Sequence, residues 1–230
     1  MSFAKKAGVV LAMVVSIATG VWAQRGGRGG MGMQPPPMPG LLNPMVGSGA
    51  EYDMTAKGKN MDIAWAVVGK EKVGDSDGYW MEIRMINAEM GGETVMKQLT
   101  VARGDQAGIK RMIMQAPGRP PMEMPVGMMG GMMRQHQPQP SAEKDGKPDM
   151  GENLGTESVT VPAGTFACQH YRKQEKSGPI DYWISTQVSP MGVVKMTSAD
   201  ATLVLKKVLP NETSHIKGEP QKMNMEMPHF

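Results

Sequence analysis

The sequence predicts a mainly β protein organised as one curved antiparallel sheet, with α+β as the alternative class. Three observations carry this. Apolar and polar residues alternate with period two in ten short segments. Clusters of turn-forming residues ("GKN", "GDSDG", "GDQAG", "PAG", "SPMG") separate them at hairpin spacing. No segment carries the longer period of an extended amphipathic helix.

The N-terminal residues, 1–23, read as a signal peptide. Lys5 and Lys6 supply a positive start, Val9 to Ile17 an apolar core, and Val21-Trp22-Ala23 a cleavage site ending at Ala23. From Ala7 to Ala23 there are seventeen residues interrupted by Gly8 and Gly20, short against the roughly 20 apolar residues of a bilayer span. The expected location is periplasmic or secreted, peripheral to a membrane at most. The residue directly after Ala23 is Gln24 and not a cysteine, which argues against a bacterial lipid anchor.

Cleavage takes two lysines and no acids, so a net charge of +3 becomes +1. That balance argues against nucleic acid or an anionic membrane as an electrostatic partner. The "RGGRGG" at Arg25 to Gly30 follows the signal and precedes a proline run, so residues 24–49 are expected to be a Gly/Pro/Met-rich linker.

Residues 50–210 are the expected β domain. Glu51 to Lys57 and Met61 to Lys70 form the first hairpin, with Ile63, Trp65 and Val67 on one face. In "YWMEIRMI", Trp80, Glu82 and Arg84 oppose Tyr79, Met81, Ile83 and Met85. "TVMKQLTVA" and "IKRMIMQ" complete the first group of strands. Residues 117–155 form a flexible Met-rich excursion, of a length that is functional or disordered in most domains. "TESVTV", "TFACQHYRKQEK", "PIDYWIST", "VVKMTS" and "TLVLKKVL" are the second group. Residues 211–230 read as a polar, Met-rich tail, and both termini as disordered.

"GTESVTVPAGTFACQHYR" followed by "DYWISTQVSPMGVVKM" resembles exported bacterial proteins of the LolA/LolB-like, lipoprotein-carrier type. The matching residues are Val161 to Phe166, Tyr171, Trp183 to Ser185, Val188, Pro190, Gly192, Val194 and Lys195. The resemblance implies a half-barrel whose concave sheet face holds acyl chains or another apolar ligand.

Methionine is the unusual component. Pro120 to Pro138 holds six methionines in nineteen residues. Thioethers are soft ligands suited to Cu(I), and MxM and MxxM segments resemble those of exported copper-handling proteins. Met122, Met124, Met128, Met129, Met132, Met133 and His136 are the candidate metal ligands. Met223, Met225 and Met227 beside His229 form a second such segment. Equally, methionine is ordinary filler elsewhere in this chain, at Met81, Met85 and Met96, and a Met-rich surface adapts to apolar partners.

Cys168 is the only cysteine, so no internal disulfide forms. Cys168-x-His170 offers a thiolate and an imidazole, but no second pair completes a structural zinc site. The expected role of Cys168 is a small buried hydrophobe. "DSDG" at Asp75 to Gly78 lacks the later ligands of a calcium loop and reads as a hairpin turn.

The chain has no GxSxG, HExxH, P-loop or CxxC. Glu71, Glu82 and Glu157 are available for two-carboxylate chemistry, but charges on strands are ordinarily the solvated face of a half-buried sheet. No enzyme activity and no resident cofactor are expected. Trp65, Trp80 and Trp183 lie on strands, as core anchors or as the lining of an apolar pocket. The leading reading is a non-enzymatic binding protein for an apolar or lipid-like ligand on the concave face, with those tryptophans as ligand contacts. The alternatives are a Cu(I)-binding protein and an envelope scaffold that engages a protein without a small ligand.

Overall fold

A computed structural model describes residues 43–87, 91–101, 108–125, 150–175 and 177–222. The signal peptide, most of the linker and the last eight residues lie outside them. The described residues contain strands and turns and no helix.

The strands are β1 (Ser48–Ala56), β2 (Lys59–Val73), β3 (Ser76–Asn87), β4 (Gly92–Val101), β5 (Gly108–Gln115) and β6 (Met122–Met124). They continue as β7 (Glu152–Val161), β8 (Gly164–Glu175), β9 (Gly178–Ile184), β10 (Val193–Thr197), β11 (Ala201–Pro210) and β12 (Gln221–Lys222). All belong to one open, curved sheet of order β12-β6-β5-β4-β3-β2-β1-β11-β10-β9-β8-β7. Every pairing is antiparallel except β12 with β6. Consecutive strands pair as meanders on both sides, and β1 joins the two groups by pairing with β11.

One face of this sheet, here the inner face, carries the core. Ala50, Tyr52, Met54 and Ala56 alternate inward on β1 with Met61, Ile63, Trp65 and Val67 on β2, all buried. Leu203 and Leu205 on β11, Met196 on β10 and Tyr182 on β9 continue it. With no second layer of helices among the described residues, a single sheet buries such a face by curling around it. Two bonds mark the curl. The Tyr52 hydroxyl donates to Val193 O at 2.8 Å, past the intervening β11. At the turn between β7 and β8, Ala163 N–H donates to Leu205 O at 3.4 Å, so that hairpin returns to β11.

The outer face of β1–β5 is covered by the chain that leaves β11. Asn211 adopts φ 58°, a left-handed conformation that asparagine tolerates, and turns the chain across the sheet. Small outward residues, Gly49, Ala64 and Ala66, lie in the rows of Glu82 and Arg84 and leave room for this strap. Glu212 Oε2 accepts from Arg84 at 3.1 Å. Glu82 is 1% exposed. Its carboxylate accepts the Ser214 hydroxyl at 2.8 Å and the His215 N–H at 2.9 and 3.1 Å. Lys97 Nζ donates to Ser214 Oγ at 3.2 Å. Gln115 exchanges two bonds with the Lys217 backbone, at 2.8 and 3.1 Å. The strap ends in β12, where Gln221 N–H donates to Pro121 O at 2.9 Å.

The expected boundaries shift at three places. Residues 43–49, assigned to the linker, already bond to the sheet: Asn43 N–H donates to Pro190 O at 3.1 Å, and β1 starts at Ser48. The excursion expected over 117–155 contains β6 and the start of β7. The tail expected from 211 supplies the strap and β12 through residue 222.

Candidate functional site

The three tryptophans do not meet. Trp65 and Ile83 are register partners on the inner face, whereas Trp80 shares the outer face with Glu82. Trp65 is 3% exposed and meets Tyr52 edge-on, with ring centroids 5.2 Å apart. Trp80 packs against Gly69 and carries Lys97 and Arg111 over its ring at 5.0 and 5.1 Å. Its indole N–H donates to Glu71 at 2.9 Å. Trp183 lies on the outer face five strands further along the sheet. Each ring is thus engaged by side chains of this protein.

Around Trp183 the sequence has assembled a polar cluster. Glu157, His170 and Trp183 share the face opposite Tyr171 and Tyr182. The His170 and Trp183 rings stack at 4.5 Å, and Lys195 Nζ sits 4.9 Å from the indole centroid. Glu157 accepts the Trp183 indole N–H and lies 3.1 Å from His170 Nδ1. Asp181 is 2.7 Å from His170 Nε2 and 2.9 Å from Arg172 Nε. Burial pushes the Asp181 carboxyl up, but hydrogen bonds from Arg172 and His170 outweigh it and hold the group below its ordinary range. Every polar tip here is satisfied by another member, so the cluster cross-links β7, β8, β9 and β10.

The three glutamates do not converge either. Glu71 takes the Trp80 indole, Glu82 the strap, and Glu157 the Trp183 indole. Among the described residues, no group of three or more His, Cys, Asp or Glu is arranged to hold a metal.

The methionines do come together. Met112 pairs with Met124, and Met114 with Met122, across β5 and β6. Met114 also faces Met96 on β4. Register partners project to the same side of a sheet, with Cβ atoms roughly 5 Å apart. A row Met96–Met114–Met122 therefore crosses three strands, with Met112–Met124 one step along. Following the register inward, Met96 opposes Ile83, which opposes Trp65, so this is the inner face. Met112 is 1% exposed, Met96, Met114 and Met124 are half-buried, and Met122 is 37% exposed. The opposite face of the same segment carries Arg111, Ile113, Gln115 and Glu123, with Arg111 and Glu123 joined at 2.7 Å.

No family model matches this chain, and no curated protein does. Two solved structures are similar at low identity. One is a protein named as a lipoprotein from Parabacteroides distasonis, at 16% identity and TM-score 0.36, covering 73% of this chain and 97% of that one. The other is named as an exported protein with a YmcC-like fold, from Bacteroides fragilis. It has 15% identity and TM-score 0.35, covering 73% of this chain and 98% of that one. Likenesses of this size give the chain no family name.

Of the candidate metal ligands, Met122 and Met124 lie on β6. Met128, Met129, Met132, Met133 and His136 lie outside the described residues, as do Met223, Met225, Met227 and His229. Met112 and Met114 are not among the metal ligands that the sequence singles out. The signal was present in the paired i, i+2 spacings of "MIM" and "MEM" seven residues apart, which only a register joins.

Cys168 is buried, and its Sγ lies 3.6 Å from Phe166 O. Burial, helped by the charge of Glu157, pushes the thiol up to about 11. At pH 7.5 Cys168 is expected to resist iodoacetamide in the folded protein. In urea it should gain one carbamidomethyl group, read by intact mass. Fast labelling of the native chain would contradict the burial.

Proposed function

We propose that this is an exported, non-enzymatic binding protein that takes an apolar or lipid-like ligand on the inner face of the sheet, at β4–β6. The observation that supports it is the one-sided methionine surface. All four inward positions in the paired part of β5 and β6 are methionine, and the outermost is exposed. Further along the sheet, at β9–β11, the inner face is occupied by buried Tyr, Leu and Ile side chains. Unbranched thioether side chains adapt to irregular apolar shapes, which suits acyl chains better than a rigid pocket does. The lysines and apolar run before Ala23 support export.

A dansylated fatty acid tests this. Saturable fluorescence enhancement is expected with the native protein. Met114→Lys/Met122→Lys should weaken it by about tenfold or more, because a buried or half-buried ammonium disfavours an apolar ligand. Trp183→Ala should leave it unchanged. No saturable signal, or equal affinity in the lysine variant, would reject the assignment.

A further inference from the structure

We infer that the inner face of β4–β6 is also a thioether site for a soft monovalent cation, Cu(I) or its redox-inert counterpart Ag(I). This goes beyond the apolar-ligand reading and does not depend on it. The sequence alone suggests metal binding along a contiguous run from Met122 to His136. The sheet register points elsewhere, to Met96, Met112, Met114, Met122 and Met124, drawn from three strands.

The chain holds 26 methionines in 230 residues, and those on its described strands lie on the inner face, Met54 and Met61 as one register pair. On β4–β6 they concentrate further, as a row of three beside a pair. Between Arg111 and Gln115 and between Met122 and Met124, every inward residue is methionine and no outward residue is. Each sulfur sits two bonds beyond its Cβ on a side chain with three rotatable bonds. With opposed Cβ atoms roughly 5 Å apart, neighbouring sulfurs can turn onto one ion without moving the backbone. Met114 has a partner on each side, Met96 and Met122, which makes a three-sulfur set from one row. Met124 is available as a fourth. Met122, partly exposed, is the point of entry.

The chemistry selects the ion. Neutral thioethers satisfy soft d¹⁰ cations and give hard or borderline ions such as Mg²⁺, Ca²⁺ and Zn²⁺ little. Glu123, the nearest carboxylate on β6, points to the other face and is held by Arg111 at 2.7 and 3.3 Å. Thioethers do not protonate in the range proteins meet, so a site made only of them binds equally at pH 5 and pH 8.

Titration of the full chain with Ag(I), against a chromophoric soft-metal chelator, tests the inference. Met114→Leu/Met122→Leu/Met124→Leu is expected to weaken Ag(I) binding by about a hundredfold or more, since it removes three of the five soft donors and leaves Met96 and Met112 without a thioether as register partner. Leucine keeps volume and apolarity, so the fold and any fatty-acid binding should persist. That separates this inference from the preceding one: thioether loss removes the metal alone, whereas lysine substitution removes the apolar ligand. Met128→Leu/Met129→Leu/Met132→Leu/Met133→Leu should retain full Ag(I) affinity. If the triple variant unfolds, the single Met122→Leu at the exposed edge gives the same direction with a smaller effect. X-ray absorption of the Cu(I)-loaded native protein should show sulfur scatterers only. Unchanged affinity in the triple variant, loss in the quadruple variant, a nitrogen or oxygen shell, or affinity falling at pH 5 would each overturn the site.

Discussion

Trp65→Ala is expected to lower the stability of the protein by about 4 kcal/mol, the range of a large aromatic removed from a packed core. The indole is 3% exposed, stands edge-on to Tyr52, and shares its face with Ala50, Ile83 and Val67. Tyr52 in turn is fixed at its far end by the bond to Val193 O. Removing the indole therefore leaves a void beside a ring that is tethered and cannot collapse into it. For a chain of this size the thermal midpoint should fall by roughly 8–16 °C. Urea denaturation followed by circular dichroism measures the change, and Trp65→Phe should recover more than half of it. Trp80→Ala and Trp183→Ala, at partly exposed outer positions, should cost clearly less. A loss at Trp65 below about 1 kcal/mol would mean that the inner face is not the packed core of the domain.

Much of the sheet is legible in the sequence. The ten segments that became β1–β5 and β7–β11 show an alternation that a half-buried strand imposes, and the faces assigned around Ile63, Trp65 and Val67, and around Trp80, Glu82 and Arg84, are the ones observed. What was illegible lacks a period. β6 has three residues between Pro121 and Pro125, and β12 has two after Pro220; β6 is set by its pairing with β5, and β12 by its pairing with β6. The first residues of β7 read as part of the excursion because residues 152–158 are all exposed, so nothing alternates. This is the edge strand, with little on either side to enforce a pattern. The candidate site divides the same way. "MEM" reads as part of the excursion and "MIM" as part of a strand, and their meeting depends on a register that hydrophobic periodicity does not encode over so few residues. Glu82 shows the reverse failure. On an alternating strand a glutamate reads as solvent-facing, and only the covering strap makes it interior.

That strap supplies the second large effect. Glu82→Ala is expected to cost about 3 kcal/mol, because it leaves buried donors without an acceptor instead of merely deleting a bond. The Glu82 carboxylate takes the Ser214 hydroxyl and the His215 N–H, and the Lys97 ammonium reaches it through Ser214. Lys97 is already held below its ordinary range, chiefly by burial; the carboxylate of Glu82 opposes that shift, and nearby Arg111 adds to it. Without Glu82 the balance shifts toward a neutral or displaced lysine and a strap with no anchor at its centre. The flanking ties, one bond between Arg84 and Glu212 and two between Gln115 and the Lys217 backbone, lie at the two sides and do not replace it. Glu82→Gln keeps one acceptor and should lose about half as much. Hydrogen exchange separates this from a general loss of stability. The amides of His215 and Lys217 should exchange faster in Glu82→Ala by a larger factor than those of β1 and β11. Release of the strap would uncover Ala64 and Ala66 on the outer face while the inner core stays closed. Uniform acceleration throughout the sheet would instead make Glu82 part of the global folding unit, and unchanged exchange at His215 would show that the strap is held by other contacts.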